Sequence, residues 1–119
     1  MIASAQTLRR YQPVTPFVER QKAFGMTFGL GPAGYDIRIA EDLIIRPGGF
    51  ELASSVEYFM MPNNLLGIVH DKSTWARLGL CVQNTVIEPG WKGHLTIELT
   101  NHQSDPMASL TIQKGCPIA

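Results

Sequence analysis

Between His94 and Thr100 apolar and polar residues alternate without a break, Leu95, Ile97 and Leu99 against His94, Thr96, Glu98 and Thr100. A period of two puts the first set on one face of a strand and the second on the other, so Glu98 points away from the core. A similar alternation runs through Tyr35, Ile37 and Ile39 against Asp36 and Arg38; Leu43–Ile45 is a short apolar run, and Val56–Met61 and Leu65–His70 read as further strands. Pro47-Gly48-Gly49, Pro62-Asn63-Asn64 and Pro89-Gly90 punctuate these runs as turns. Leu8, Arg9 and Arg10 suggest a helical turn that Pro13 and Pro16 break, and residues 21–34, rich in glycine, read as a loop. Only residues 73–78 carry the marks of a helix after that: Ser73 as N-cap with Lys72 just outside, Arg77 four residues on along the same face, and Gly79 to end it. Many short strands, regular turns and one short helix predict an all-β fold, a small barrel or sandwich.

Three segments carry candidate chemistry. The N-terminus of the short helix, with Lys72 and the Ser73 hydroxyl, suits a di- or triphosphate; the same pattern also describes an ordinary capped turn with a surface arginine. Glu98 is either a solvated carboxylate on an open sheet or an acid–base group on the wall of a ligand cleft, where partial loss of water suits it to proton transfer. Glu88 precedes a tight Pro89-Gly90 turn anchored by Trp91; such a carboxylate bonds local backbone or, beside a phosphate site, holds a sugar hydroxyl or a water. Asp36 and Arg38, on one strand face, read as a surface ion pair or as organisers of the site.

Composition narrows the field. At 119 residues and 45% hydrophobic the chain can bury one modest core, which predicts a single domain over residues 1–119 with residues 1–34 as an arm and loop. Lys+Arg and Asp+Glu are equal at 10 each, so there is no basic footprint for a nucleic-acid polymer, and any anion site is local. No apolar stretch is long enough to span a bilayer, and residues 1–20 lack the apolar run of a signal peptide. Cys81 and Cys116 are too few for a disulfide framework and read as reduced, which predicts an intracellular, cytoplasmic protein.

Taken in order, Ala33-Gly34-Tyr35-Asp36-Ile37-Arg38, Ser73-Thr-Trp-Ala-Arg77-Leu-Gly-Leu, Ile87-Glu-Pro-Gly-Trp91-Lys-Gly and Thr96-Ile-Glu98-Leu-Thr-Asn101 resemble the successive motifs of the dCTP deaminases, which share a fold with the trimeric dUTPases. The resemblance covers roughly residues 30–119 and implies a distorted dUTPase-like β-barrel. It implies Glu98 as general acid–base, with Ser73 and Arg77 as the other catalytic residues. Lys72, Ser73, Thr74, Glu88, Trp91 and Asp36 would contact nucleotide. It also implies a homotrimer whose sites lie between subunits, acting on dCTP or dUTP, with Mg²⁺ accompanying the triphosphate.

Lys72 stands where family members often have Arg, which keeps a charge but not a bidentate grip. Glu88 matches an Asp that contacts deoxyribose in the deaminases and activates water in the dUTPases. Glu98 has no counterpart in the plain dUTPase motif, which favours deamination over a dUTP pyrophosphatase or a bifunctional enzyme. A nucleotide-binding protein without turnover is the reading from another class. The run Cys81–Ile87 is short for the family, leaving base specificity open, and the chain stops at Ala119, where the family continues through a strand and a closing tail. Zinc deamination needs a His-x-Glu and a Pro-Cys-x-x-Cys, and the sequence has no Cys-x-x-Cys; the expected chemistry is therefore metal-free, with water attacking C4 of cytosine.

Overall fold

The computed structural model describes residues 1–119. Helix α1 (Ala5–Tyr11) is followed by strands β1 (Val14–Thr15), β2 (Gln21–Ala23), β3 (Met26–Gly31), β4 (Gly34–Asp36), β5 (Leu43–Ile45) and β6 (Phe50–Met60). Next come β7 (Gly67–Ile68), α2 (Ser73–Ala76), β8 (Leu80–Val82), β9 (Val86–Ile87), β10 (Lys92–Asn101) and β11 (Leu110–Ile112). The antiparallel pair β6–β10 is the spine of a sheet ordered β1-β6-β10-β8; three smaller units, β2-β3-β4, β5-β11 and β7-β9, close around it.

The spine follows from the alternation in β10. Leu95, Ile97, Leu99 and Asn101 are buried, and Glu98 lies on the opposite face, paired in register with Leu52. Between His94 and Thr96 the register breaks, so that the three residues Ser55, Val56 and Glu57 oppose the single Leu95. Ser55 stabilises the break: its Oγ accepts the Leu95 N–H at 2.8 Å and donates to the Glu57 carbonyl at 2.6 Å. The freed stretch of β6 pairs instead with residues 38–40, where Val56 N donates to Arg38 O and Ala40 N to Ser54 O, both at 2.8 Å. A bulge of this kind bends the strand and increases its twist, which is how a ten-residue pair curls into half a barrel.

Eighteen buried residues form one apolar cluster, with Ile39, Ile45, Leu99, Ile112 and Ile118 wholly inaccessible. The last residues belong to it: Ile37 N donates to Ala119 O and Ile118 N to Ile37 O, both at 2.9 Å, and Cys116, Pro117 and Ile118 are buried. Asn101, also wholly buried, is fully used, its Nδ2 donating to Ile45 O and Ala108 O at 2.9 Å and its Oδ1 accepting Gln103 N–H at 3.0 Å. Buried polar groups of this kind hold a loop only when each donor and acceptor is matched.

Several sequence expectations are corrected. Residues 21–34 are not a loop: β2 and β3 form a hairpin through a two-residue turn, Phe24-Gly25, with φ of +55° and +73°. Two successive positive φ values are what the primed hairpin turns require. The helical turn at Leu8–Arg10 extends over a full α1, N-capped by Ser4. β6 begins at Phe50, well before Val56, and the stretch 65–70 keeps only Gly67–Ile68 as strand. Asp36 and Arg38 do not pair with each other. Arg38 donates to Glu57, a carboxylate with no exposed surface, from its backbone N at 2.6 Å and its Nε at 3.1 Å, and lies 4.5 Å over the Phe28 ring.

Candidate active site

Two patches hold the expected residues, and the chain does not bring them together. The first is built by β9, the turn after it and β10. Glu88-Pro89-Gly90-Trp91 closes with Trp91 N donating to Glu88 O at 3.1 Å, and Gly90 takes φ +81°, as a Pro-Gly turn with glycine third demands. The turn is strapped down by Gly90 N to Met61 O and Met61 N to Trp91 O. The Trp91 ring rests on Phe59, with centroids 6.1 Å apart, and covers Gly93, where a Cβ would stand 3.0 Å from the indole. Between this turn and β10 lies a cavity of about 310 Å³ walled by Thr85, Val86, Glu88, Trp91, Thr96 and Glu98. That is at the lower end of the size that takes a small organic molecule.

Glu98 is the unusual member of the wall. Its Oε2 is buried and has no hydrogen-bond partner among the atoms of this chain, the only side-chain atom of which that is true. A buried acceptor left unmatched costs free energy, and in a native fold it marks strain, a catalytic role, or a water or ion that completes it. Glu88, by contrast, is exposed at the rim.

The second patch surrounds α2. Ser73 is not the N-cap: Lys72 takes that position with extended backbone, no side chain caps the helix, and Ser73 is its first residue. Ser73, Thr74 and Arg77 are exposed, and none lines the Glu98 cavity. Trp75 alone turns inward, its Nε1 donating to Pro117 O at 2.9 Å. Two contacts invisible in the sequence fix the element: Asp71 Oδ1 accepts Val82 N–H at 2.6 Å, and Gln103 Nε2 donates to Leu78 O at 2.7 Å beside Gly79, whose φ is +88°.

Lys72 does not present a free charge. Its Nζ donates to Asp36 Oδ2 at 2.7 Å and lies 3.4 Å from Thr27 Oγ1, and its side chain is only 11% exposed. Asp36 thus joins β4 to the start of α2, and the two motif residues meet as an ion pair. Cys116 lies in the same region; burial raises its thiol above the ordinary range, an effect that the nearby Lys72 charge offsets only in part.

A family model described as dCTP deaminase-like matches residues 33–119. The chain belongs to that family. Among its relatives, the dCTP deaminase of Nautilia profundicola is 36% identical over 122 aligned positions, spanning 78% of this chain and 66% of that protein. The dCTP deaminase of Wolbachia sp. subsp. Brugia malayi is 37% identical, spanning 87% of this chain and 72% of that protein. For the dCTP deaminase of Campylobacter curvus the figures are 36%, 74% and 63%. The chain therefore spans about two thirds of the length of the curated relatives it matches. Among solved structures, Staphylococcus bacteriophage 80alpha dUTPase superposes with a TM-score of 0.69 at 19% identity, covering 88% of this chain and 81% of that one. EIAV dUTPase gives 0.65 at 20%, covering 86% and 78%. These two show the dUTPase-like fold.

In this member of the dCTP deaminase-like family no three His, Cys, Asp or Glu side chains cluster, so the chain offers no all-protein metal cage. One carboxylate suffices for a Mg²⁺ ion that takes its remaining ligands from phosphate and water, and Asp36, half-exposed beside Lys72, fits that part. No helix is long and apolar enough to cross a membrane.

Proposed function

We propose that the chain deaminates dCTP hydrolytically to dUTP and ammonia, with Glu98 as the acid–base group. The observation that carries this reading is Glu98 itself, a residue that lines a cavity large enough for a pyrimidine and holds one carboxylate oxygen buried without a partner in the chain. Glu98 takes a proton from a water as the water adds to C4 of cytosine and returns it to N3; the hydroxyl proton of the tetrahedral intermediate then passes through the same carboxyl to the amine. The C4–N bond breaks as ammonia leaves. One group serves first as base and then as acid. Ser73 and Arg77 orient the water and stabilise charge in the tetrahedral intermediate, where fixed donors act most strongly. Thr74, Lys72 and Asp36 belong to the phosphate end, with Mg²⁺ as the counter-ion of the triphosphate. Glu88 and Trp91 contact the sugar.

Because Ser73 and Arg77 do not open onto the Glu98 cavity of their own chain, the reading requires a neighbouring copy to supply them, as a homotrimer does. The outward row of β6 supports this: Phe50, Leu52, Tyr58 and Met60 are exposed on the face that carries Glu98, an apolar surface of the kind that subunits cover. A second reading, dUTP pyrophosphatase or a bifunctional enzyme, is favoured by Glu88 at the rim of the same cavity.

The test is product analysis with dCTP and dUTP. Ammonia from dCTP supports deamination, pyrophosphate the alternative, and binding without either product a non-catalytic protein. Glu98→Gln should lower ammonia release by roughly 10²–10⁴-fold, the usual cost of losing an acid–base group. Mixed with Arg77→Ala chains, it should recover up to about a quarter of native activity, since random assembly in a closed ring pairs an intact helix with an intact Glu98 at one site in four. No recovery from co-refolded mixtures would refute the shared site.

A further inference from the structure

We propose that Arg20 is the cation that holds the distal phosphate of the nucleotide, in a second cavity on the α2 side of the molecule. The proposal rests on the reading that the ligand is a nucleoside triphosphate. The cavity, about 210 Å³, is formed over strands β3 and β4 and the residue just before β2; Arg20, Thr27 and Asp36 give it its polar wall, and Gly31 and Gly34 leave room beside them. It is smaller than the cavities that take whole organic ligands, and its single guanidinium suits it to a phosphate group.

Arg20 is the only lysine or arginine that lines this cavity. Lys72, the cation that the sequence pattern places at the phosphate, is held on Asp36 at 2.7 Å and nearly buried, so its charge is largely cancelled. Arg9 is paired with Glu19 and Arg38 with Glu57. Arg20 takes part in none of the three ion pairs, and its neighbour Glu19 is occupied by Arg9 at 2.8 Å. Arg20, Lys72 and Asp36 together leave the cavity with one net positive charge, and a free guanidinium offers the planar pair of donors that matches phosphate oxygens.

Geometry holds it in place. Gly29, at φ +89°, lets the chain before Arg20 lie directly on β3: a Cβ there would stand 2.6 Å from Glu19 O and 2.9 Å from Val18 O. Leu30 N donates to Val18 O at 3.0 Å, and the Tyr35 hydroxyl accepts Val18 N–H at 3.1 Å. The backbone leading into Arg20 therefore cannot drift from the cavity rim. Thr27 and Asp36, which line this cavity, are also the partners of Lys72, so it lies within one lysine side chain of the start of α2. A triphosphate chain that starts at Ser73 and Thr74 can reach it.

The experiment is titration calorimetry on the full chain with inorganic tripolyphosphate, dCTP and dCMP, for native protein, Arg20→Ala and Arg20→Lys. Arg20→Ala should weaken tripolyphosphate and dCTP by about 10–100-fold, the range for one charge-assisted hydrogen-bonded contact, and dCMP by less than about threefold. Arg20→Lys should restore part of the loss, and KM for dCTP should rise with kcat nearly unchanged. Native-like tripolyphosphate binding by Arg20→Ala, no tripolyphosphate binding by the native chain, or an equal loss for dCMP overturns the proposal. Ammonia release is read separately: a native chain that binds tripolyphosphate through Arg20 but forms no ammonia refutes the deaminase reading and leaves the phosphate site standing.

Discussion

Replacing Glu98 with methionine should make the protein more stable while abolishing turnover. Methionine is unbranched and close to glutamate in volume, so the change removes the orphaned Oε2 without opening a void or forcing a new rotamer. A buried acceptor without a partner costs about 1–3 kcal/mol. Glu98 as a whole is only part-buried, with its other oxygen not so confined, which places the expected gain at the lower end, about 1–2 kcal/mol. Unfolding entropy for 119 residues is roughly 0.25 kcal/mol per kelvin, so the melting temperature should rise by about 4–8 °C.

Calorimetric melts of native, Glu98→Met and Glu98→Gln proteins at one protein concentration check this, because self-association makes melting temperature concentration-dependent. Glu98→Gln keeps a polar atom in the same place and should melt near the native protein. A Glu98→Met melt at or below the native value would show that Oε2 is matched in solution, and the argument that its isolation marks a working acid–base group would fail. The expected pattern is that of an active site carrying a local cost for function.

Arg38→Ala should destabilise the fold by about 3–5 kcal/mol, because it leaves the Glu57 carboxylate buried and uncompensated; urea unfolding measures it, and a loss below 1 kcal/mol would refute the assignment. Burial raises the Tyr35 hydroxyl above its ordinary value, so the neutral phenol is favoured in the fold. Its contribution should be complete below about pH 10 and lost as pH climbs through the folded value. Stability of the native chain should therefore fall more steeply from about pH 10 upwards than that of Tyr35→Phe, and parallel curves would contradict this.

Local signals were the legible ones. Leu95, Ile97 and Leu99 announce β10 because one of its faces is dry and the other carries polar groups, and Pro89-Gly90 announces its turn because glycine alone accepts that φ readily. Leu43–Ile45 appears as the strand expected. The β2–β3 hairpin was hidden because Phe24 fills a turn position that normally falls to Asn, Asp or Gly, which leaves no turn signal before Gly25. The early half of β6 was hidden because Phe50 and Leu52 make its outer face apolar too, erasing the alternation. Glu57 falls inside the expected strand Val56–Met61 with nothing nearby in sequence to mark it as buried, and only the crossing of residues 38–40, nineteen positions away from Glu57 at Arg38, buries and neutralises it. Lys72 matched its motif, but the sequence gives no sign that Asp36 engages its charge.

Pairing beyond the reach of local pattern also explains why the chemistry is split. Nine residues after α2 begins, β8 ends at Val82, and Val82 pairs with Leu99 while Gln83 N donates to Glu98 O at 3.1 Å. Asp71 Oδ1, bonded to Val82 N–H at 2.6 Å, closes the loop between helix and strand. The backbones of α2 and β10 are thus locked at a fixed separation, yet β10 turns its Glu98 side chain toward the β9 turn, and α2 turns Ser73 and Arg77 outward. Neither Ser73 nor Arg77 lines the Glu98 cavity of its own chain. Under the deamination proposal these contacts leave the second half of the site to a neighbouring copy, and a surface that meets a different surface on its neighbour closes into a ring when the rotation permits. In such a ring the guanidinium and hydroxyl of one copy would stand at the mouth of the next copy's cavity, reaching Glu98 only through the bound base and its water, with Arg20, on the α2 side, toward the phosphate end.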